Sequence, residues 1–245
     1  MSSKKITVVR LAHVHYQHPD LQKASTFLDD FGFVEALKTD SRTYYRGYGV
    51  QPYVYIAEQS PDSKRHFLGG TWVVESEQDL EIAASHPEAT GIRDNTAPGG
   101  GKIVSLTDPN GFLVSFVWGQ ALREESPLPE NHVFFHEETA GVAANTALKQ
   151  PRKGQFRRFR QGPSPVSRLG HYGFIVPKSM YRKTLDWYLG IMNLKPTDAV
   201  FDPATGEDET CFNHIDAGEQ FTDHHVSKPW PISFVGSFER QQLAD

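Results

Sequence analysis

The sequence of 245 residues contains a single cysteine, Cys211. One thiol cannot form an intrachain disulfide, so a disulfide framework is excluded and a reducing compartment is expected. We interpret Cys211 as a buried strand residue rather than a nucleophile. Apolar runs are also short: none approaches the roughly 20 residues of a membrane-spanning helix. The polar stretch from Met1 to Lys5 leads into no signal-peptide core. The sequence therefore predicts a cytoplasmic protein without a membrane partner.

An excess of positive charge is missing as well. The formal net charge is -5 and the isoelectric point is about 6.1, which argues against a general nucleic-acid binder. One basic run departs from this balance; it consists of Arg152, Lys153, Arg157, Arg158 and Arg160. It lies in a proline-containing stretch, 121–165, which we predict to be a linker. The run is interpreted as a solvated segment, or one that packs against an acidic face of its own domain.

An internal repeat organises the rest of the chain. Arg10-Leu-Ala-His13 and Arg168-Leu-Gly-His171 each open an apolar stretch. After the first comes an apolar helical stripe of Leu21, Ala24, Phe27, Leu28 and Phe31, and after the second one of Tyr181, Leu185, Tyr188 and Leu189. An extended segment follows in both copies. Each copy is thus predicted to form a strand, a helix and then further strands.

A third copy lies between these two. It is predicted to begin with a strand from Phe67 to Val74, followed by a helix that starts at Ser76. Its last two strands are joined by the turn Asp108-Pro-Asn-Gly111, because proline presets the backbone angle and asparagine and glycine tolerate left-handed positions. The predicted organisation is two βαβββ modules in 1–120, the linker 121–165, a third module in 166–226 and a tail in 227–245.

Repeated βαβββ modules, a histidine in the first strand and a closing Asp-Pro-Asn-Gly turn resemble the vicinal-oxygen-chelate superfamily, which includes glyoxalases, bleomycin-resistance proteins and extradiol dioxygenases. The resemblance covers nearly the whole chain. It implies an α+β fold in which two modules form a cup-shaped barrel around a metal, here with an incomplete second barrel. A metal-free first pair is similar to the type I extradiol ring-cleavage dioxygenases. That likeness implies Fe(II) or Mn(II) as cofactor, and a small catechol-type aromatic diol and O2 as substrates.

The resemblance also implies where ligands lie: a histidine in each first strand and a carboxylate in a closing strand, as in facial-triad iron sites. In the first pair, Ser115 stands where the carboxylate is expected. His13 and His15 alternate along one strand and so share a face. We interpret both as packed or hydrogen-bonded side chains in a barrel without a metal.

The third module is expected to carry what remains of the site. His171 occupies the position of a metal ligand, and His224 resembles the acid-base catalyst of extradiol enzymes. Imidazole suits that role because its pKa lies near neutrality. Register cannot be fixed within one residue, so His225 is the alternate. A different metal site remains open as an alternative; its members would be His214, Asp216, Asp223, His224 and His225.

The family pattern stops after His225. A fourth module would supply a second histidine and a glutamate ligand, but Val226 to Asp245 contains no histidine and only one glutamate, Glu239. Our hypothesis is a truncated or mis-spliced product whose metal binding is weak or absent; sequencing the transcript would test it. A third module without its partner is expected to expose Phe174, Val176 and the strands around Phe212. Such a surface predicts a homo-oligomer or poor folding.

Two other functions remain open. The chain could be a non-catalytic binder of small aromatic molecules, held in the cup of the first two modules. The rings available for this are Tyr16, Tyr44, Tyr45, Tyr53, Tyr55 and Trp72. The alternative is that these rings form the core. The chain could also be a glyoxalase-like isomerase or lyase that borrows ligands across a dimer interface. Whether this chain is an active enzyme is therefore left undecided by its sequence.

Overall fold

A computed structural model describes residues 4–124, 126, 166, 168–171 and 173–216, together with the backbone of 232–233. Eight strands and two helices come before residue 120. These are β1 (Val8–His18), α1 (Leu21–Phe31), β2 (Val34–Lys38), β3 (Arg42–Arg46), β4 (Tyr55–Gln59), β5 (His66–Val74), α2 (Glu77–Ala84), β6 (Arg93–Asp94), β7 (Lys102–Thr107) and β8 (Leu113–Trp118). A 3-10 turn (Lys178–Met180) then leads into α3 (Tyr181–Ile191), β9 (Leu194–Phe201), β10 (Asp208–Ile215) and β11 (Ile232–Ser233).

The first eight strands form one sheet in the order β2-β3-β4-β1-β5-β8-β7-β6. Each half has the same plan: the first strand runs parallel to the last, as β1 does to β4 and β5 to β8. The two halves meet where β1 pairs with β5 in antiparallel fashion. The predicted pair of βαβββ modules is confirmed. Strands β2 and β6 lie at the two edges of the sheet.

Local sequence determines where α1 and α2 begin. The Asp20 carboxylate accepts a hydrogen bond from the Lys23 amide (2.9 Å), and the Ser76 hydroxyl accepts one from Asp79 (3.2 Å). Both side chains satisfy amides that have no partner inside the helix. α1 ends at Gly32, whose φ of 106° favours glycine and lets its amide bond to the last turn. None of the described helices is long and apolar enough to cross a membrane.

The apolar stripe predicted for α1 is only partly buried. Ala24 and Leu28 face the sheet, but Phe27 and Phe31 are 62% and 54% exposed. The two exposed rings stack on each other, with centroids 6.0 Å apart. The helix therefore contacts the sheet over a narrower face than its sequence pattern indicates.

One face of the sheet is covered by helices, and the other carries none of the helices that the described residues form. On the covered face, Trp72 of β5 packs with Leu80 of α2 and with Phe116 of β8, all fully buried. Successive residues of a strand point to opposite faces, so Thr71 lies on the helix-free face. Its partner in β1 is His13, and its partner in β8 is Ser115. The helix-free face thus holds the residues that the sequence singled out in the first pair of modules.

The third module departs from its prediction at its start. The first strand, expected in the apolar stretch that Arg168-Leu-Gly-His171 opens, does not form in 169–176: none of the described residues there belongs to a strand. In the first module the equivalent strand, β1, is paired on both sides, by β4 and by β5. In the third module β10 pairs with β9 and β11, and none of the described strands runs beside 169–176. Cys211 lies in β10 and is 3% exposed, so its prediction as a buried strand residue is confirmed.

Polar side chains attach the third module to the first pair. The Asn193 side chain accepts a hydrogen bond from the Val8 amide (2.8 Å) and donates to the Val8 carbonyl (3.1 Å). It also donates to the Asp216 carbonyl (2.9 Å). Asn193 thereby pairs with β1 as a strand neighbour would, and it connects β1 to the end of β10.

The turn before β8 also contacts the third module. The Tyr188 hydroxyl donates to the buried Asp108 carboxylate (3.3 Å), and the Asn110 amide group donates to the Thr184 hydroxyl (2.8 Å). Phe174 is 5% exposed, with ring centroids 6.0 Å from Phe112 and 5.6 Å from Tyr188. The prediction that Phe174 would be exposed is wrong, because it packs against the first pair. Val176 and Phe212 are partly buried.

We predict that Asn193→Ala lowers the free energy of unfolding by about 3 kcal/mol, because the Val8 amide and carbonyl lose their partner in a part-buried position. Urea denaturation of the purified chain would measure this. Thr26→Ala is the matched control, since the Thr26 hydroxyl donates only to the Gln22 carbonyl on the exposed side of α1. It should change stability by less than about 0.5 kcal/mol. Equal effects of the two substitutions would contradict the role of Asn193.

Candidate functional site

A row of polar side chains crosses the helix-free face of the first pair. It runs through four adjacent strands, from His13 in β1 to Thr71 in β5, Ser115 in β8 and Ser105 in β7. His13 Nε2 is 3.0 Å from the Thr71 hydroxyl, and the Ser105 and Ser115 hydroxyls are 2.7 Å apart. His13 and Ser105 are 4% and 2% exposed. The row is therefore closed to solvent over most of its length.

The chemistry of this row does not fit an Fe(II) or Mn(II) site. Such sites use imidazole and carboxylate ligands, whereas the row offers one imidazole and three neutral hydroxyls. Burial, with smaller contributions from the neighbouring His15 and Arg10, lowers the pKa of His13 to about 3. His13 is thus a neutral imidazole at physiological pH, hydrogen-bonded as expected. Ser115 lies where the family resemblance places a carboxylate, and its hydroxyl is paired with Ser105.

A second polar cluster surrounds Glu58 in β4. Its carboxylate accepts hydrogen bonds from the Gln17 side chain (2.8 Å), from His15 Nε2 (3.1 Å) and from the Arg42 guanidinium. Burial alone would raise the pKa of Glu58, but the hydrogen bonds and the charge of Arg42 outweigh it and lower the pKa. Burial lowers the pKa of His15 despite the attraction of Glu58. His15 Nε2 and the Glu58 carboxylate therefore form a hydrogen-bonded pair in this part-buried cluster.

Sequence reasoning missed Glu58. The one signal was an acidic residue at the end of Tyr55-Ile-Ala-Glu58, the closing strand of the first module. In the second module the closing strand is β8, which carries Ser115. The closing strand of the first module thus carries the carboxylate that the second module lacks. The Glu58 carboxylate already accepts hydrogen bonds from three side chains of the same chain.

His171 is exposed and lies in the irregular segment before the 3-10 turn. Within the described residues, no three His, Cys, Asp or Glu side chains come together as a metal site would require. His224, His225 and Asp223 lie outside the described residues, so their predicted roles stay predictions. The basic run of the linker lies outside them too.

Two members of the alternative metal cluster are described, and each has another partner. His214 Nδ1 is 2.7 Å from the Thr197 hydroxyl. Asp216 forms an ion pair with Lys195 (2.7 Å). Both side chains thus take part in contacts with β9. The described residues give this alternative no support of their own.

The six rings proposed to line a cup divide between the two faces. Tyr45 and Trp72 are buried in hydrophobic clusters, with 1% and 0% exposure, and Tyr16 stacks on Tyr55 with centroids 5.5 Å apart. Tyr53 and Tyr44 are also buried, with 2% and 8% exposure, in a cluster with Ile56. Tyr53 contacts the His13 ring (4.5 Å), and Tyr44 lies 5.2 Å from Tyr53, edge to face. The alternative of a core role is therefore supported for all six rings.

No family model matches the sequence, and no curated protein matches it. Solved structures do resemble the fold. The Mn(II)-bound glyoxalase from Novosphingobium aromaticivorans is 13% identical, with a TM-score of 0.60 over 84% of this chain and 57% of its own. Homoprotocatechuate 2,3-dioxygenase from Brevibacterium fuscum, in complex with 3,4-dihydroxyphenylacetate, is 16% identical, with a TM-score of 0.62 over 87% and 59%.

A third similar structure is the 2,3-dioxygenase LapB from Pseudomonas sp. KL28, which is 14% identical, with a TM-score of 0.61 over 86% of this chain and 67% of its own. The chain thus spans between a half and two thirds of the length of these proteins. The fold predicted from the sequence is confirmed by these similarities.

We predict a stability loss in mild acid that depends on His13. Its pKa is about 3 in the folded chain and about 6.5 when unfolded. Below about pH 6.5 only the unfolded state binds this proton, so the free energy of unfolding falls by up to about 1.4 kcal/mol per pH unit until about pH 3. In His13→Gln, the free energy of unfolding should therefore fall less steeply as the pH is lowered. Urea denaturation at pH 7, 5.5 and 4.5 would measure this pH dependence.

Ser115→Ala serves as the control, because it breaks the hydrogen bond to Ser105 without removing a titrating group. It should lower stability by about 1 kcal/mol at all three pH values and leave the slope unchanged. An unchanged slope in His13→Gln would contradict the burial of a neutral imidazole at this position.

Proposed function

We propose that this chain takes part in the metal-dependent cleavage of a catechol-type aromatic diol by O2. Its fold is that of the vicinal-oxygen-chelate proteins. The first two modules are a metal-free support. The third module carries His171 as a metal ligand and His224, with His225 as the alternate, as acid-base catalyst. Two of the similar structures are 2,3-dioxygenases and the third is a Mn(II)-bound glyoxalase. This supports Fe(II) or Mn(II) as the metal.

The proposal rests on a difference in exposure between His13 and His171. His13 and His171 occupy the same place in the repeated motif Arg-Leu-X-His. His13 is buried, neutral and hydrogen-bonded within a row of hydroxyls, whereas His171 is exposed. A metal ligand must be reachable by the ion and must have carboxylate or imidazole neighbours. Of the two positions, only that of His171 leaves the imidazole accessible.

The described residues do not form a complete metal site. They bring no three suitable side chains together, so His171 would be one ligand among others. The remaining ligands would come from outside the described residues, with His224 and His225 as the first candidates, or from a second copy of the chain. A bound metal ion would supply Lewis-acid activation of the diol and a position for dioxygen.

The test measures metal binding directly. The full chain is loaded anaerobically with Fe(II) or Mn(II), desalted and analysed by plasma mass spectrometry. His171→Ala should weaken metal binding at least about tenfold, since even the loss of an outer-shell partner costs tenfold or more. Catechol-dependent oxygen uptake, followed with an oxygen electrode, should be lost in the same variant.

His13→Gln is the matched control because it changes the equivalent residue of the first module. It should retain the metal and the oxygen uptake of the wild-type chain. Equal metal content in wild type and His171→Ala would overturn the role of His171. Loss of metal from His13→Gln alone would move the site to the first pair.

A second function is favoured by one specific observation. His13 Nδ1 is buried and has no hydrogen-bond partner in the described part of the chain. Its ring contacts Tyr53, which in turn contacts Tyr44. An unpaired buried ring nitrogen costs about 1–3 kcal/mol, and a phenolic hydroxyl bound beside these rings, which can either donate or accept, would satisfy it. The helix-free face would then bind a small aromatic molecule without chemistry.

Calorimetric titration of the metal-free chain with catechol separates the two functions. If the helix-free face is the binding site, Tyr53→Leu should weaken binding about tenfold or more, because the aromatic ring that contacts His13 is lost. His171→Ala should bind as wild type does. No measurable binding at millimolar catechol, or an equal effect of both variants, would rule this second function out.

A further inference from the structure

Two arginine side chains converge on the hydroxyl of Ser126. Arg123 Nη2 donates to Ser126 Oγ over 2.7 Å, and Arg46 Nη1 donates to it over 3.2 Å. Arg46 comes from the end of β3, eighty residues earlier in the chain. The serine is half-buried. It is held in place because its amide donates to the Tyr48 carbonyl (3.0 Å).

The backbone holds both guanidiniums at this point. Arg123 Nη1 donates to the Gly49 carbonyl (3.0 Å), and Arg46 Nη1 also donates to the Gly47 carbonyl (3.0 Å). The Arg123 amide donates to the Val50 carbonyl (2.9 Å). Arg123 and Ser126 therefore lie against the loop 47–50. The orientation of both arginines is set before any further group arrives.

The charges at this point are unbalanced. Within the part of the chain that the structure describes, neither Arg46 nor Arg123 forms an ion pair with a carboxylate. Burial, and after it the charge of Arg123, lowers the pKa of Arg46. Two like charges thus meet at a neutral hydroxyl. Arginine forms its strongest contacts with planar or tetrahedral oxyanions, above all phosphate, through paired N–H donors.

The sequence around Ser126 matches one class of modifying enzyme. Ser126 is followed by Pro127 and preceded three residues earlier by Arg123. A proline after the serine is what proline-directed protein kinases recognise. Leu122 is 58% exposed and Glu124 is exposed, in a segment without regular secondary structure. The segment is accessible to an enzyme that binds an extended peptide.

We propose that Ser126 is a phosphorylation site and that Arg46 and Arg123 are the receptor for its phosphate. Ser126 Oγ attacks the γ-phosphorus of ATP, the bond from that phosphorus to the bridging oxygen breaks, and ADP leaves. The hydroxyl proton passes to the kinase. The new group, with a charge of about -1.5 to -2, accepts hydrogen bonds from both guanidiniums and fixes Arg123 and Ser126 on the loop 47–50.

A second Ser-Pro sequence in the described residues serves as an internal control. Ser60 precedes Pro61, but it is only 6% exposed and its hydroxyl donates to the Asp62 carboxylate (3.1 Å). A phosphate there would be repelled by Asp62. The same kinase should therefore modify Ser126 and leave Ser60 unmodified.

The experiment treats the folded full chain with ATP and a proline-directed serine/threonine kinase, in a Ser164→Ala background because Ser164 also precedes a proline. Peptide mapping by mass spectrometry should find one phosphate, at Ser126. Thermal denaturation should show a melting temperature raised by about 2–4 °C, the shift expected for one favourable contact in a chain of this size. In a ³¹P NMR titration, the phosphate pKa should lie below the usual value of about 6.

Arg46→Gln separates recognition by the kinase from binding of the phosphate, since Arg46 lies eighty residues away in the sequence and is not part of the peptide that the kinase recognises. This variant should be phosphorylated to the same extent, but the rise in melting temperature and the lowered phosphate pKa should be lost. No phosphate at Ser126 of the folded chain would overturn the proposal. Modification without any rise in melting temperature, an equal rise in Arg46→Gln, or equal modification of Ser60 would overturn it as well.

Discussion

The antiparallel pairing of β1 with β5 is the interaction on which the rest of the described structure depends. It joins the two modules at the centre of the eight-stranded sheet and places Leu11 opposite Trp72 and His13 opposite Thr71. Side chains alternate between faces, so a shift of one residue would move His13 to the helix side and Trp72 away from α2. The register is therefore fixed by the burial of Trp72, and the polar row follows from it.

That register gives the first pair two different chemical surfaces. The helix-covered face is apolar, while the helix-free face carries polar groups that are paired with one another. His13 with Thr71, Ser105 with Ser115, and Glu58 with its three donors all use side chains of the chain itself. In the first pair, polar side chains that could contact a ligand instead form hydrogen bonds with one another. This internal pairing is the basis for proposing that the first pair is a metal-free support.

The first two modules could be predicted because their signals are local: a repeated Arg-Leu-X-His motif, helix caps at Asp20 and Ser76, and a turn at Asp108. The features that could not be predicted from the sequence depend on contacts between residues that are distant along the chain. The strand expected at 169–176 has the right composition, but no described strand pairs with it. Phe174 is buried by Phe112 and Tyr188. The environment of Glu58 required knowing that β1, β3 and β4 are neighbours. The roles predicted for His224 and His225 rest on the sequence alone, because both residues lie outside the described part of the chain.

The two edges of the large sheet differ from its centre in a way that bears on self-association. An unpaired edge is a template for strands of other molecules, and proteins block it with charge or by keeping the edge strand short. Here β6 has only two residues, Arg93 and Asp94, and β2 exposes both Glu35 and Lys38. Neither edge strand of the large sheet is suited to pair with a strand of another molecule. Growth of this sheet into a cross-β stack is therefore disfavoured. Copies of this chain that associate would therefore have to meet elsewhere than at the two edges of the large sheet.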